Sequence, residues 1–219
     1  MHFLDAWLEP SPLDLVRLLK PLALLTASAF LPGLRVGQVT ALGVALAIPF
    51  LRELGTSPAM VAAWTALWVV VALWRPGDPE DTARRPLART RGAAETHTVG
   101  LALGLALTLL LIAAVARQDM SPDDTRRASL GAALLATGIL HLLLRRHIRR
   151  AMTGFAAMGL GLQVLDGAAQ GAQIGPAPSS AMAVLLATSL SIVLALRVAI
   201  SRERHAGTAW VSDAHDLHD

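Results

Sequence analysis

The sequence predicts an all-α polytopic membrane protein with about seven transmembrane helices. Of its 219 residues, 54% are hydrophobic and only 16% are charged, and the mean hydropathy is +0.53. Soluble domains carry about 25% charged residues, so the deficit of charge is large. Several apolar runs approach the roughly 20 residues that cross about 30 Å of hydrocarbon. No segment shows the alternation of apolar and polar residues, over about ten residues, that is typical of strands in a membrane β-barrel.

Proline and charge separate the first three predicted spans. The first span contains Arg17 and Lys20, whose long side chains must reach the headgroups, and Pro32 ends it because proline disfavours helix in the preceding residue. The second has Pro49 near its end, and Ser57-Pro58 starts the third, since proline suits the first helical turn. Whether the first span is one helix or two interfacial pieces stays open.

The last four spans follow a long polar loop. The fourth is the clearest, with no charged residue over positions 97–116, and His141 alone interrupts the fifth. The sixth and seventh form a closing pair with basic residues at the start of one and the end of the other. The whole chain is one integral membrane domain with predicted helices at 13–31, 36–54, 57–74, 97–116, 128–144, 150–168 and 178–200, and a cytoplasmic tail at 201–219.

Arginine and lysine residues are unevenly divided between the two ends of these helices. Of the 19 in the chain, 13 fall at one end and six at the other. Loops on the cytoplasmic side of a membrane carry the excess of basic residues. The sequence therefore predicts a cytoplasmic C-terminus, an N-terminus outside, and a multi-pass protein of the inner (cytoplasmic) cell membrane.

Composition excludes several classes of site. The chain has no cysteine, which rules out disulfides, thiolate-ligated metal clusters and a cysteine nucleophile. The net charge is only +3, and the basic residues lie in short clusters between apolar runs, so nucleic acid is not an expected partner. The spans contain no catalytic triad or pair of carboxylates, and we expect no catalytic residue, cofactor or metal. The histidines of the tail suggest a metal only superficially; contact with a partner subunit is the favoured interpretation.

A few polar residues in the spans are candidates for a proton relay. His141 is the one ionisable side chain near a helix centre, and imidazole changes charge near neutral pH; a neutral histidine bonded to a neighbouring helix is the favoured alternative. Gln163 and Asp166 share a helix face, and with Arg197 on the next helix they could be the remnants of an ion path. Interhelical hydrogen bonding is the favoured interpretation of these three.

Two further groups of residues have predicted roles in contacts. Four arginines at the start of the sixth helix are candidates for docking to anionic lipid or to a peripheral subunit, although a topology signal alone would explain them; they are Arg145, Arg146, Arg149 and Arg150. Small residues allow helices to approach closely, and the Gly- and Ala-rich faces of the fourth, sixth and seventh helices are the expected contact surfaces. The glycines predicted to pack are Gly100, Gly104, Gly154, Gly159 and Gly161.

Residues 146–155 are RHIRRAMTGF, in which arginines flank an isoleucine and a glycine–aromatic pair follows. This pattern resembles the hydrogenase-4 component E family, whose members place such a segment before their penultimate helix. The basic end of the last helix and the Gly207-Thr208 pair of the tail are also similar. The resemblance covers roughly residues 130–210; upstream, only length and hydropathy agree. The last two helices of that family are related to K-type subunits of respiratory complex I and to C-type subunits of multisubunit antiporters.

The resemblance implies a membrane subunit of a complex-I-like assembly, such as a hydrogenase or formate-hydrogenlyase-like complex. Its implied partners are antiporter-like membrane subunits and a soluble catalytic or electron-transfer arm. The sequence departs from the family at Gly159-Leu160-Gly161, where relatives carry an acidic residue, and residues 152–165 and 167–202 contain no Asp or Glu. We therefore expect this subunit to pack and anchor rather than to conduct. The alternatives are a stand-alone transporter, which would show internal repeats, and a membrane enzyme, which would need a reactive residue set.

Overall fold

The protein is helical in a computed structural model that describes residues 13–31, 34–51, 57–73, 90–118, 120–144, 148–171 and 179–206, and this part of the chain contains no β-strand. Seven α-helices occur there, as many as the sequence predicts, and a short 3₁₀ turn (Ile48–Phe50) follows the second. The helices are α1 Leu13–Phe30, α2 Leu34–Ala47, α3 Pro58–Leu73, α4 Thr90–Ala116, α5 Pro122–Leu144, α6 Ile148–Gly171 and α7 Ser179–Ala206. The all-α prediction is confirmed.

Several helices extend beyond the apolar runs from which they were predicted. α5 begins six residues earlier than expected because Ser121 caps it: the Asp124 amide donates to Ser121 Oγ at 3.2 Å, and proline and two acidic residues favour the first turn. α7 continues six residues past 200, into the predicted tail. α2 gives way to the 3₁₀ turn at Ile48, before its predicted end, because Pro49 cannot continue the helix.

The helix pair α5–α6 forms the centre of the bundle. α4 and α1 pack on α5, α7 packs on α6, and α2 lies between α1 and α3, which also reaches α6 and α7. One hydrophobic core joins all of these helices except α4, and its largest members are Trp64 and Trp68 of α3. The central pair therefore packs against helices on several sides, while α4 lies at the edge.

Three of the described helices are long and apolar enough to cross a membrane, and they differ in how much of their surface is buried. Within the apolar 18-residue stretch of each helix, 67% of the residues are buried in α5, against 28% in α7 and 6% in α4. All seven described helices also expose large hydrophobic side chains, such as Leu46, Leu109 and Leu186. Soluble monomers rarely expose contiguous apolar surface on this scale. The three long apolar helices and this surface indicate association with a membrane.

Candidate functional site

The helices α5 and α6 meet along a glycine seam, formed by Gly131 and Gly138 of α5 and by Gly154 and Gly161 of α6. A Cβ atom added at Gly161 would lie 2.8 Å from the Gly131 carbonyl oxygen, and one added at Gly138 would lie 2.7 Å from the Gly154 carbonyl oxygen. At these glycines the backbone of each helix therefore approaches the backbone of the other directly. Helices in lipid associate through such van der Waals packing.

The glycine seam also fixes how the two helices are aligned. The chain runs in opposite directions in α5 and α6, so Gly131 meets Gly161 and Gly138 meets Gly154. Gly154 and Gly161 were predicted to pack, whereas Gly131 and Gly138 were not singled out. The seven-residue spacing that both pairs share is a signal that could have identified them, because it keeps residues on one face of a helix.

The other predicted packing glycines also face neighbouring helices. A Cβ at Gly100 would lie 3.3 Å from a methyl group of Leu144, and one at Gly104 would overlap the Leu140 side chain. The glycine face of α4 is therefore covered by α5 of the same chain. A partner approaching α4 would meet its leucine face instead, which corrects the expectation that the small-residue face of this helix is the external contact surface. A Cβ at Gly159 of α6 would overlap Thr188 of α7.

Arg150 lies inside the bundle, at the junction of α6 with the end of α1. One of its terminal nitrogens donates to the Ser28 carbonyl oxygen at 2.8 Å and to Ser28 Oγ at 3.1 Å, and the other donates to the Leu31 carbonyl oxygen at 3.1 Å. α1 has no basic residue in its own last turn. The guanidinium thus supplies the positive charge and the donors that the carboxyl end of a helix favours.

This position changes the interpretation of the basic cluster. Arg150 is 4% exposed, so it joins two helices of the bundle and is not available to a lipid headgroup or a peripheral subunit. Arg145 and Arg146 lie outside the described residues, as does the side chain of Arg149, and their predicted docking role stays a prediction.

His141 is fully buried in α5. Its Nδ1 lies 2.9 Å from the carbonyl oxygen of Thr137, one turn earlier. Because a carbonyl oxygen can only accept, Nδ1 carries the proton and donates this bond. Buried hydroxyls of the bundle bond one turn back in the same way, among them Thr137 to Ala133 O and Thr188 to Val184 O, each at 2.7 Å. These groups are held by their own helices.

The three other relay candidates lie at different places. Asp166, half-buried, accepts hydrogen bonds from Ser180 and Gln170, each at 2.8 Å, and so ties the end of α6 to the start of α7. Arg197 is exposed on α7, 17 residues beyond Ser180 and therefore about 25 Å further along that helix. The structure thus brings Asp166 to α7 but does not bring Arg197 to Asp166.

Gln163 is buried in α6, and its Oε1 atom has no hydrogen-bond partner among the described residues. The indole nitrogens of Trp64 and Trp68 share this property. A buried polar atom without a partner costs about 1–3 kcal/mol of stability. The side-chain oxygen of Gln163 therefore does not accept a hydrogen bond from a neighbouring helix.

Substituting Gln163 with methionine tests whether its amide is needed. Methionine fills a similar volume without the unpartnered oxygen, so we expect the free energy of unfolding in detergent to rise by about 1 kcal/mol. Gln118→Met, at an exposed position, should leave it unchanged. A loss of more than about 1 kcal/mol in Gln163→Met alone would mean that the oxygen makes a stabilising contact.

Carboxylates are peripheral in the part of the chain that the structure describes. Asp123 is exposed, Asp124, Asp166 and Glu203 are half-buried, and no described Asp or Glu side chain is buried. The described residues also contain no group of three or more histidine or acidic side chains that could hold a metal. Among the residues whose side chains are described, the buried polar and charged ones are Ser28, Thr40, Arg126, Ser129, Thr137, His141, Arg150, Thr153, Gln163 and Thr188.

Comparison of the chain with protein-family models, with curated proteins and with solved structures finds no match.

Proposed function

We propose that this chain is a non-catalytic subunit of the membrane arm of a complex-I-like assembly, of the hydrogenase-4 or formate-hydrogenlyase-like kind. It spans the inner cell membrane with its C-terminus in the cytoplasm. It supports ion or proton coupling by packing against an antiporter-like subunit of many helices, and it has no carboxylate relay of its own. A soluble catalytic or electron-transfer arm completes the assembly.

The observation that carries this proposal is the position of α4. Among the described helices α4 makes extensive contact with α5 alone, and 6% of its apolar Val99–Ala116 segment is buried. Leu103, Leu105, Leu109 and Leu110 are exposed, while Gly100 and Gly104 face α5. A helix held on one side only offers a long apolar face to a neighbouring membrane protein.

The interior of the bundle supports the absence of a relay. Proton transfer across a membrane needs titratable groups or water in the interior. Besides His141 and two buried arginines, Arg126 and Arg150, the described interior contains the glycine seam, hydroxyls bonded to their own helices, and the Gln163 amide, and no carboxylate. His141, at one end of α5, does not line up with Asp166, because the glycine seam places Asp166 near the opposite end of that helix.

Cross-linking tests the proposal directly, and the cysteine-free sequence allows single cysteines to be introduced without background. Leu105→Cys and Leu109→Cys, on the exposed side of α4, are labelled with a photoactivatable cross-linker in native membranes. We expect both to cross-link to an antiporter-like subunit identified by its peptides. Leu42→Cys and Leu46→Cys, equally exposed on α2, provide the matched control.

Two results would contradict the proposal. The first is a chain extracted in mild detergent as a monomer, with no cross-link to any antiporter-like protein from α4; that would favour a stand-alone transporter. The second is equal cross-linking from α2 and α4, which would show that the exposed leucines of α4 are not a specific contact.

A further inference from the structure

The outer surface of α7 carries a short line of polar side chains near its carboxyl end. Arg197, Ser201 and Arg204 are all exposed, and spacings of four and three residues place them on one face of the helix. Arg202 and Glu203 are half-buried and point away from this face, since successive residues are rotated by about 100°. Two guanidinium groups therefore project together from the bundle.

An apolar strip lies directly below this line. Leu190, Val193 and Leu194 are more than half exposed, and they lie seven, four and three residues before Arg197, on the same face of the helix. The outer surface of α7 thus changes from apolar to cationic within one turn.

The packing of α6 against α7 indicates how far from the centre of a membrane the surface of α7 changes from apolar to cationic. Contacts between Gly159 and Thr188 and between Asp166 and Ser180 show that the two helices run in opposite directions, which places Arg197 level with Arg150. That level is ten residues from the middle of α6, or about 15 Å at 1.5 Å per residue. With the middle of α6 at the centre of the hydrocarbon layer, whose half-thickness is also about 15 Å, Arg197 would lie at the boundary of that layer and Arg204 about 10 Å further out.

We propose that this face of α7 binds one anionic phospholipid. The guanidinium groups of Arg197 and Arg204 hold the phosphate, the Ser201 hydroxyl donates to the headgroup, and an acyl chain lies along Leu190, Val193 and Leu194. Arginine is suited to this role because its planar fork of donors matches phosphate oxygens. The inference rests on the membrane location in the proposed function, but not on the identity of any partner subunit.

A lipid fits this surface better than a protein carboxylate does. The step from apolar to cationic side chains coincides with the level at which a phospholipid changes from acyl chain to phosphate. A carboxylate on a partner protein would match the arginines alone and would leave the apolar strip below them unexplained.

The test uses the full-length chain, delipidated in neutral detergent and titrated with phosphatidylglycerol or phosphatidylcholine, with bound lipid counted by native mass spectrometry. We expect phosphatidylglycerol to bind in preference. Its affinity should fall about thirtyfold in the double variant Arg197→Gln/Arg204→Gln, because each arginine near an anionic surface contributes roughly a factor of five. Arg117→Gln, an exposed arginine at the end of α4, should bind as the parent chain does.

Each other outcome overturns this inference. Equal binding of the two lipids, or equal loss in the Arg117 control, would show nonspecific adsorption. Full competition by inorganic phosphate would indicate a free-anion site, and displacement of the lipid by a co-purifying protein cross-linked at Ser201→Cys would indicate a protein partner. The proposed function fails separately, if the chain is recovered without detergent or if α4 has no antiporter-like neighbour.

Discussion

Replacing Arg150 with methionine is expected to destabilise the bundle by about 2–6 kcal/mol, because two backbone carbonyls lose a charged donor and each such loss costs about 1–3 kcal/mol. The carbonyl oxygens of Ser28 and Leu31 end α1 with no basic residue of that helix nearby. Methionine can fill the space but cannot donate. We expect α1 to separate from α6, which a lower midpoint of unfolding in detergent and faster proteolysis after α1 would report.

Two comparisons separate this effect from a loss of charge. Arg150→Lys keeps the charge but has a smaller set of donors on a single nitrogen, so its stability should be intermediate. Arg117→Met removes an arginine that is exposed and should change the free energy of unfolding by less than about 0.5 kcal/mol. Wild-type stability in Arg150→Met would mean that releasing a buried charge offsets the lost bonds, and that the hydrogen bonds of Arg150 do not hold α1 to α6.

The role of Arg150 could be predicted from the sequence only in part. Arg150 lies among five basic residues at positions 145–150. A cluster of basic residues predicts the cytoplasmic side of a helix, but it does not indicate which of them faces the interior of the bundle. Its spacing from Ala157 and Val164, seven residues at each step, does place it on a buried face of α6. The hydrogen-bond acceptors on α1 are 119 and 122 residues away, and no local pattern indicates them.

The number of helices was predictable because its cause is local. Apolar runs broken by proline or charge give seven helices, and the structure has seven in the part it describes. Helix ends were harder to predict. Proline and aspartate are favoured in the first turn of a helix, as in α5, and the arginine and glutamate residues at the end of α7 are good helix formers, so hydropathy alone indicates neither a loop nor a helix at either segment. Hydropathy marks where a helix leaves the apolar zone, whereas caps and prolines decide where it stops.

Burial could not be predicted from hydropathy either. α4 is the most apolar of the three candidate spans and the least buried, while α5 has the lowest mean hydropathy of the three and is the most buried. The reason is that glycine and alanine, which allow close packing, contribute less hydropathy than leucine does. In lipid, the apolar side chains can stay outside and the small ones form the contacts.

The glycine seam leads to the second large effect. In Gly138→Ala the new methyl group would lie 2.6 Å from the backbone nitrogen of Met158 and 2.7 Å from the Gly154 carbonyl oxygen. Neither atom can rotate away, so α5 and α6 must separate along their length. Overpacking costs about 1–3 kcal/mol and occasionally more; with two backbone contacts we expect a value of about 3 kcal/mol.

Two other glycines provide graded controls for that substitution. In Gly104→Ala the methyl group meets the end of the Leu140 side chain, which can change rotamer, so the cost should be smaller. In Gly37→Ala the nearest atoms are 3.6 and 3.8 Å away, and alanine should be neutral or stabilise α2 by up to about 1 kcal/mol through its helix propensity. Free energies of unfolding in detergent should therefore rank Gly37→Ala above Gly104→Ala above Gly138→Ala. Equal losses at all three positions would show that alanine affects each helix on its own and not the packing between helices. The backbone contact between α5 and α6 would then not be what holds the centre of the bundle together.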